Sequence, residues 1–196
     1  DPATADLAAT ALGSAADVAL ARGESARAQD LALQALRAAP SLDLRTRSGL
    51  LFLRAAGPRI GEGAATDVLA PLVDKETLKS ILDARVAHLQ QELTRKPGDP
   101  DLLVAAAFYS LFTGGDLGIA LALRHAREAA KSGRKLLELE YLQGRIAREM
   151  DEPDAARRHY RLQIAEFPDA PVTRLAANEL ALLLVEKGGF AEEMAD

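Results

Sequence analysis

The chain has 196 residues, a formal net charge of −5, 48% hydrophobic residues, only 4% aromatic ones and no Cys. Its length allows a substantial buried core, and without Cys there is no disulfide framework, thiolate metal site or Cys nucleophile, in any compartment. The acidic balance argues against a nucleic-acid binder, whose affinity rests on neutralising phosphates, and no run of about 18 apolar residues is present to insert in a membrane.

Ala and Leu dominate while β-branched and aromatic residues are sparse, which points to an all-α fold. A first helix is expected over Thr4–Arg22, with a turn at Gly23, and a second over Ser25–Ala39, stopped by Pro40. Ser41 caps a helix over Leu42–Ala56 that ends at Gly57-Pro58. Residues 57–74, with Gly57, Gly61, Gly63 and Pro71, read as an inserted loop on the convex side, holding one short helix at most. Asp74 caps a long helix over Lys75–Lys96 whose apolar stripe is Leu78, Ile81, Leu82, Val86, Leu89 and Leu93. After Pro97-Gly98, Asp99 as cap and Pro100 at the first helical position start a helix over Asp101–Phe112. The turn Gly114-Gly115-Asp116 leads to a helix ending near Gly133, and a pair over 136–168 follows around the acidic turn Asp151-Glu152. A last helix runs over Pro171–Lys187. Its segment 180–185, LALLLV, is apolar all round and demands packing on more than one side, from a truncated final helix, a later domain or a partner. The chain begins at Asp1 with neither Met nor a visible signal peptide, so either a targeting segment has been removed or the sequence starts within a longer chain.

The pair over 136–168 carries Gly144, Ala156 twelve residues on, Tyr160 sixteen on and Pro168 twenty-four on. The same spacing recurs as Ala16, Ala28, Ala32, Ala35 and Pro40, and Gly115-Asp116 followed by Ala120 marks a degenerate third pair. Pro97 and Pro168 lie 71 residues apart, two periods of a repeat of about 34 residues. The pattern resembles the tetratricopeptide repeat. That resemblance implies an α-solenoid of stacked antiparallel helix pairs in a right-handed superhelix, as a single domain over 1–196. The pairs are 4–40, 41–97 with the 57–74 insertion, 99–133, 136–168, and an incomplete one over 171–196. No Trp occupies the place the family's first helices often give it, and Gly144 is the only Gly at its usual place.

On the helix from Leu136 to Met150, Leu139, Leu142, Ile146 and Met150 share one face, and Tyr141, Arg145 and Arg148 the opposite one. In the family, first helices line the concave groove that holds extended peptides or partner helices. The resemblance therefore implies that Tyr141, Arg145 and Arg148 face this groove, with Tyr109 and Phe112 on one side and Arg174 and Asn178 on the other. Arg pairs with carboxylates and Tyr offers a flat amphipathic contact; the alternative is a solvated stripe with intrahelical ion pairs. Arg174-xxx-Asn178 echoes one element of the carboxylate clamps of some members, but Asn178 is the only Asn and the rest is missing.

Other chemistry lacks a constellation. His88, His125 and His159 sit on separate helices in no HxxxH or ExxH pair, so they read as surface or groove-edge residues and no metal is expected. Gly57–Gly63 looks like a phosphate-cradling loop only superficially, since no strand precedes it and no Lys-Ser/Thr follows; a recognition loop is its functional reading. Asp151 and Glu152 are explained by capping, Glu138 and Glu140 as polar positions at a helix start, and no Ser or Thr has a nucleophile-elbow context. A cationic cluster of Arg124, Arg127, Lys131, Arg134 and Lys135, continued by Arg157, Arg158 and Arg161, reads as a solvated face, with an anionic surface or nucleic acid as the lesser reading. The sequence thus points to a non-catalytic scaffold that binds a protein or peptide without cofactor. The alternative is a docking or regulatory segment of a larger enzyme or of a secretion or cell-envelope assembly protein. Self-association through the 175–185 helix is a further possibility.

Overall fold

Polar caps set where the helices begin. In the computed structural model, which describes residues 2–113 and 115–186, the Ser41 hydroxyl accepts from the Leu44 amide at 3.4 Å and opens α3 (Leu42–Ile60). It follows α1 (Pro2–Ala21) and α2 (Ser25–Ala38). Next come α4 (Glu62–Leu69) and a single 3-10 turn, Ala70–Leu72. Asp74 accepts from the Thr77 amide at 2.8 Å and its hydroxyl at 2.9 Å, starting α5 (Lys75–Arg95). Asp99 does the same for α6 (Pro100–Thr113), accepting from the Asp101 and Leu102 amides. The remaining helices are α7 (Gly115–Ala130), α8 (Leu139–Glu149), α9 (Pro153–Glu166) and α10 (Pro171–Glu186). Among the described residues there is no strand, so the chain is all-helical, and no helix is long and apolar enough to cross a membrane. Packing divides it into two compact units, residues 1–95 and 96–196.

In the first unit α3 is central and packs on α1, α2, α4 and α5. The seam of α1, α2 and α3 is built from Ala16, Ala19, Ala28, Ala32, Ala35 and Ala55, with Leu51, Phe52, Leu53 and Ile81 completing the core. Gly49 lets α3 and α5 meet: a Cβ there would lie 2.3 Å from the Ile81 side chain.

Residues 57–74 are not a loop on a surface. α3 runs through Pro58 to Ile60, and α4 buries Glu62, Gly63, Ala64, Ala65, Thr66 and Leu69. Pro58 is tolerated because it removes only one hydrogen bond near the helix end, and the Gly61 amide closes the last turn on the Gly57 carbonyl at 2.9 Å. Gly57 has a second use: a Cβ on it would lie 2.5 Å from the Glu62 carboxylate, which occupies that space and pairs with buried Arg85 at 2.5 Å.

In the second unit each helix from α6 to α10 packs on the next, and α8 also touches α6 and α10. Gly144 of α8 accepts the fully buried ring of Tyr160 from α9, whose carbons approach within 2.4 Å of where a Cβ would stand. The α1–α2 and α8–α9 turns are built alike. Gly23 (φ 76°) and Asp151 (φ 56°) take the left-handed conformation, and the next amides, of Glu24 and Glu152, close on the carbonyls of Ala19 and Ala147 at 2.9 and 2.8 Å. Ala16, Gly23, Ala28 and Ala32 thus correspond to Gly144, Asp151, Ala156 and Tyr160, all shifted by 128 residues.

Candidate functional site

α8 is only eleven residues long, yet it is packed on two faces. Leu139, Leu142 and Ile146 are buried as their spacing predicts, whereas Met150, on the same stripe, is exposed. Tyr141 lies on the other face and is also buried, rather than open to a groove as the resemblance implies, because α8 also meets α6 and α10. Its amide donates to the Gln163 side chain at 3.2 Å, and Gln163 in turn donates to the Leu137 carbonyl at 2.9 Å. A fully buried glutamine from α9 therefore fixes the start of α8. Glu138, expected at a polar helix start, is buried as well.

The two arginines differ: Arg148 is held across helices by α10, whereas the one hydrogen bond of Arg145 stays within α8. Arg148 donates to Glu179 and, at 2.9 Å, to Glu186, both on α10. Arg145 donates to the Tyr141 hydroxyl at 3.3 Å and has Glu179 at 3.7 Å, too far for a hydrogen bond. Burial pushes the Tyr141 phenol up from its ordinary value. It also raises that of Tyr160, with the Glu179 charge adding to it. The Tyr160 hydroxyl is buried and has no hydrogen-bond partner among the described residues.

α6 contributes an aromatic cluster. Phe108 meets Tyr109 edge-on at 5.1 Å between centroids and Phe112 at 4.9 Å. Tyr109 is buried, while Phe112 is 59% exposed. Between α6 and α8 a pocket of about 120 Å³ opens, lined by Phe108, Leu111, Phe112, Tyr141, Leu142 and Arg145. Of the residues expected to form a groove, Phe112, Tyr141 and Arg145 thus converge on one pocket, with Tyr109 against its aromatic wall. Arg148 is tied to α10. Arg174 and Asn178 are exposed and do not line the pocket, and their side chains make no hydrogen bond or ion pair among the described residues. Sequence reasoning missed Phe108, Leu111 and Glu179. The i, i+4 step from Phe108 to Phe112 was a local signal; Glu179 left none.

Two of the three histidines have a carboxylate partner. His88 pairs with Glu92 at 3.0 Å, and His159 with Glu140 at 2.7 Å. Burial holds His88 below the usual imidazole value, and Arg54 adds to this. Four members of the cationic cluster are neutralised: Lys131 by Glu128, Arg134 by Asp101, Lys135 by Glu166 and Arg157 by Asp154. A second hollow of about 250 Å³ lies among α7, α8 and α9, with Leu123, Ile146 and Met150 beside Arg127, Glu152 and His159. No protein-family model, curated protein or solved structure matches the chain.

Proposed function

We propose that the chain is a non-catalytic helical-repeat scaffold of the tetratricopeptide type, an α-solenoid, and that the α6–α8 pocket anchors an extended segment of a partner protein. The carrying observation is Phe112, 59% exposed above a pocket of about 120 Å³ in a chain with only 4% aromatic residues. That volume is close to the roughly 150 Å³ of an engineered cavity that binds benzene and far below the roughly 300 Å³ minimum of small-molecule pockets. It suits one apolar side chain. Aromatic and Arg side chains around such a pocket are the composition of binding hot spots. The repeat reading draws on the matching α1–α2 and α8–α9 turns and on Gly144 beneath the Tyr160 ring.

The test is selection of binders from a random dodecapeptide library, followed by fluorescence polarisation. Phe112→Ala should weaken the selected peptides by about tenfold or more with an unchanged melting temperature. Selection that yields no peptide, or peptides indifferent to Phe112, would end this reading.

A second reading rests on Leu182 and Val185 of α10, 52% and 64% exposed. Here α10 supplies a self-association or docking face, as in a segment of a larger assembly. Concentration-dependent mass in light scattering, abolished by Val185→Asp, would favour it.

A further inference from the structure

Within the proposed peptide-binding reading, on which this step depends, the wall of the pocket is chemically uneven. Five of its six lining residues are apolar or aromatic, and the sixth is Arg145. The Arg145 side chain is 34% exposed, and its one hydrogen bond, to the Tyr141 hydroxyl, is long at 3.3 Å. Among the described residues its Nε and Nη2 make none. Glu179 stands nearby but is spent on Arg148, the closer of its two guanidinium neighbours, leaving 3.7 Å to Arg145. A half-buried guanidinium with an open donor edge, beside a hollow sized for one side chain, is matched by a carboxylate held close to an apolar group.

We infer that the pocket reads an apolar side chain with an Asp or Glu side chain beside it on the same peptide, and that Glu179 is the internal carboxylate which this acid displaces from Arg145. An aliphatic or small aromatic side chain enters between Phe108, Phe112 and Leu142. The neighbouring carboxylate completes the fork that Glu179 only approaches. Glu179 thereby weakens acidic ligands and keeps the guanidinium compensated when the pocket is empty. Neutralising Glu179 leaves Arg148 its second partner, Glu186, at 2.9 Å, so the rest of the α8–α10 pairing survives.

The experiment uses the full chain and the same random dodecapeptide library, with recovered peptides remade capped at both ends so that only side chains supply carboxylates. Wild type should enrich Leu, Ile, Met or Phe with an acid within two residues. Replacing that acid by its amide should weaken binding about tenfold, the size of one charge-assisted hydrogen bond. Arg145→Gln should erase the acid–amide difference and Arg145→Lys, which keeps the charge but not the fork, should reduce it, while apolar binding through Phe112 persists. Glu179→Gln should tighten the acidic peptides and leave the amide versions unchanged. Phe112-dependent peptides without acid enrichment, or an acid–amide difference that survives Arg145→Gln, would overturn the inference and leave the binding reading standing. Failure to recover any Phe112-dependent peptide would overturn both.

Discussion

Gly144→Ala is the sharpest trial of the packing. A methyl at residue 144 would lie 2.4 Å from Cε1, 2.6 Å from Cδ1 and 3.0 Å from Cζ of Tyr160. Carbon atoms prefer separations of about 3.5–4.0 Å, so the methyl overlaps the ring by about 1 Å. The ring is fully buried and stands 6.2 Å from that of Tyr141, so it cannot swing into solvent. Overpacking of this kind costs about 1–3 kcal/mol, against a gain of about 1 kcal/mol for Ala over Gly in a helix. The net loss should reach about 2 kcal/mol at most, read as a lower urea midpoint by far-UV circular dichroism with an unchanged slope. Gly13→Ala is the matched control: nothing lies within 4 Å of its Cβ position, so it should gain about 0.5–1 kcal/mol. Combining Gly144→Ala with Tyr160→Leu should cost less than the two changes added. A Gly144→Ala protein that gains as much stability as Gly13→Ala would refute the argument that this glycine exists to admit the ring.

Tyr160→Phe deletes a buried hydroxyl that has no partner among the described residues and should stabilise by about 1 kcal/mol, measured by the same denaturation. Arg85→Met leaves the Glu62 carboxylate buried without its 2.5 Å partner and should cost about 3–5 kcal/mol, whereas Glu62→Gln with Arg85→Met should recover much of that loss. The pH dependence has two edges. His88 and His125 have lowered values, with burial the leading cause, so the folded chain binds fewer protons than the unfolded one. Their contribution is complete above pH 6.5, the unfolded value, and is lost as the pH falls through the folded values. Tyr141 and Tyr160 have raised values, so their contribution is complete below pH 10.0 and declines as the pH climbs through the folded ones. Melting temperatures taken across the pH range should bend at both edges, and His88→Gln should flatten the acidic one.

Helix positions were largely legible because caps and breakers are local: Ser41, Asp74 and Asp99 each start a helix as their side chains dictate. The segment 57–74 was not legible. The breaking power of Gly57, Pro58 and Gly61 is a backbone property, while the contacts that tie the segment down are long-range: Glu62 pairs with Arg85, 23 residues away, and Ala65 and Leu69 join the core. The site divides in the same way. Helical spacing put Tyr141, Arg145 and Arg148 on one face of α8, but not what lies against that face. Glu179 and Glu186 reach Arg148 from 31 and 38 residues along the chain. Phe112 and Tyr109 were put beside the groove by the repeat resemblance, which sets the preceding first helix there, and nothing local told the exposed ring from the buried one.

The alanine seam between α1, α2 and α3 bears on how this chain can evolve. Ala16, Ala19, Ala28, Ala32, Ala35 and Ala55 are each no more than 3% accessible. A single base change in an alanine codon gives Gly, Ser, Thr, Val, Asp, Glu or Pro, and of these only Gly and Ser add little or no bulk. Drift along the seam is thereby restricted to those two exchanges, while the outer faces of the same helices are at liberty to change.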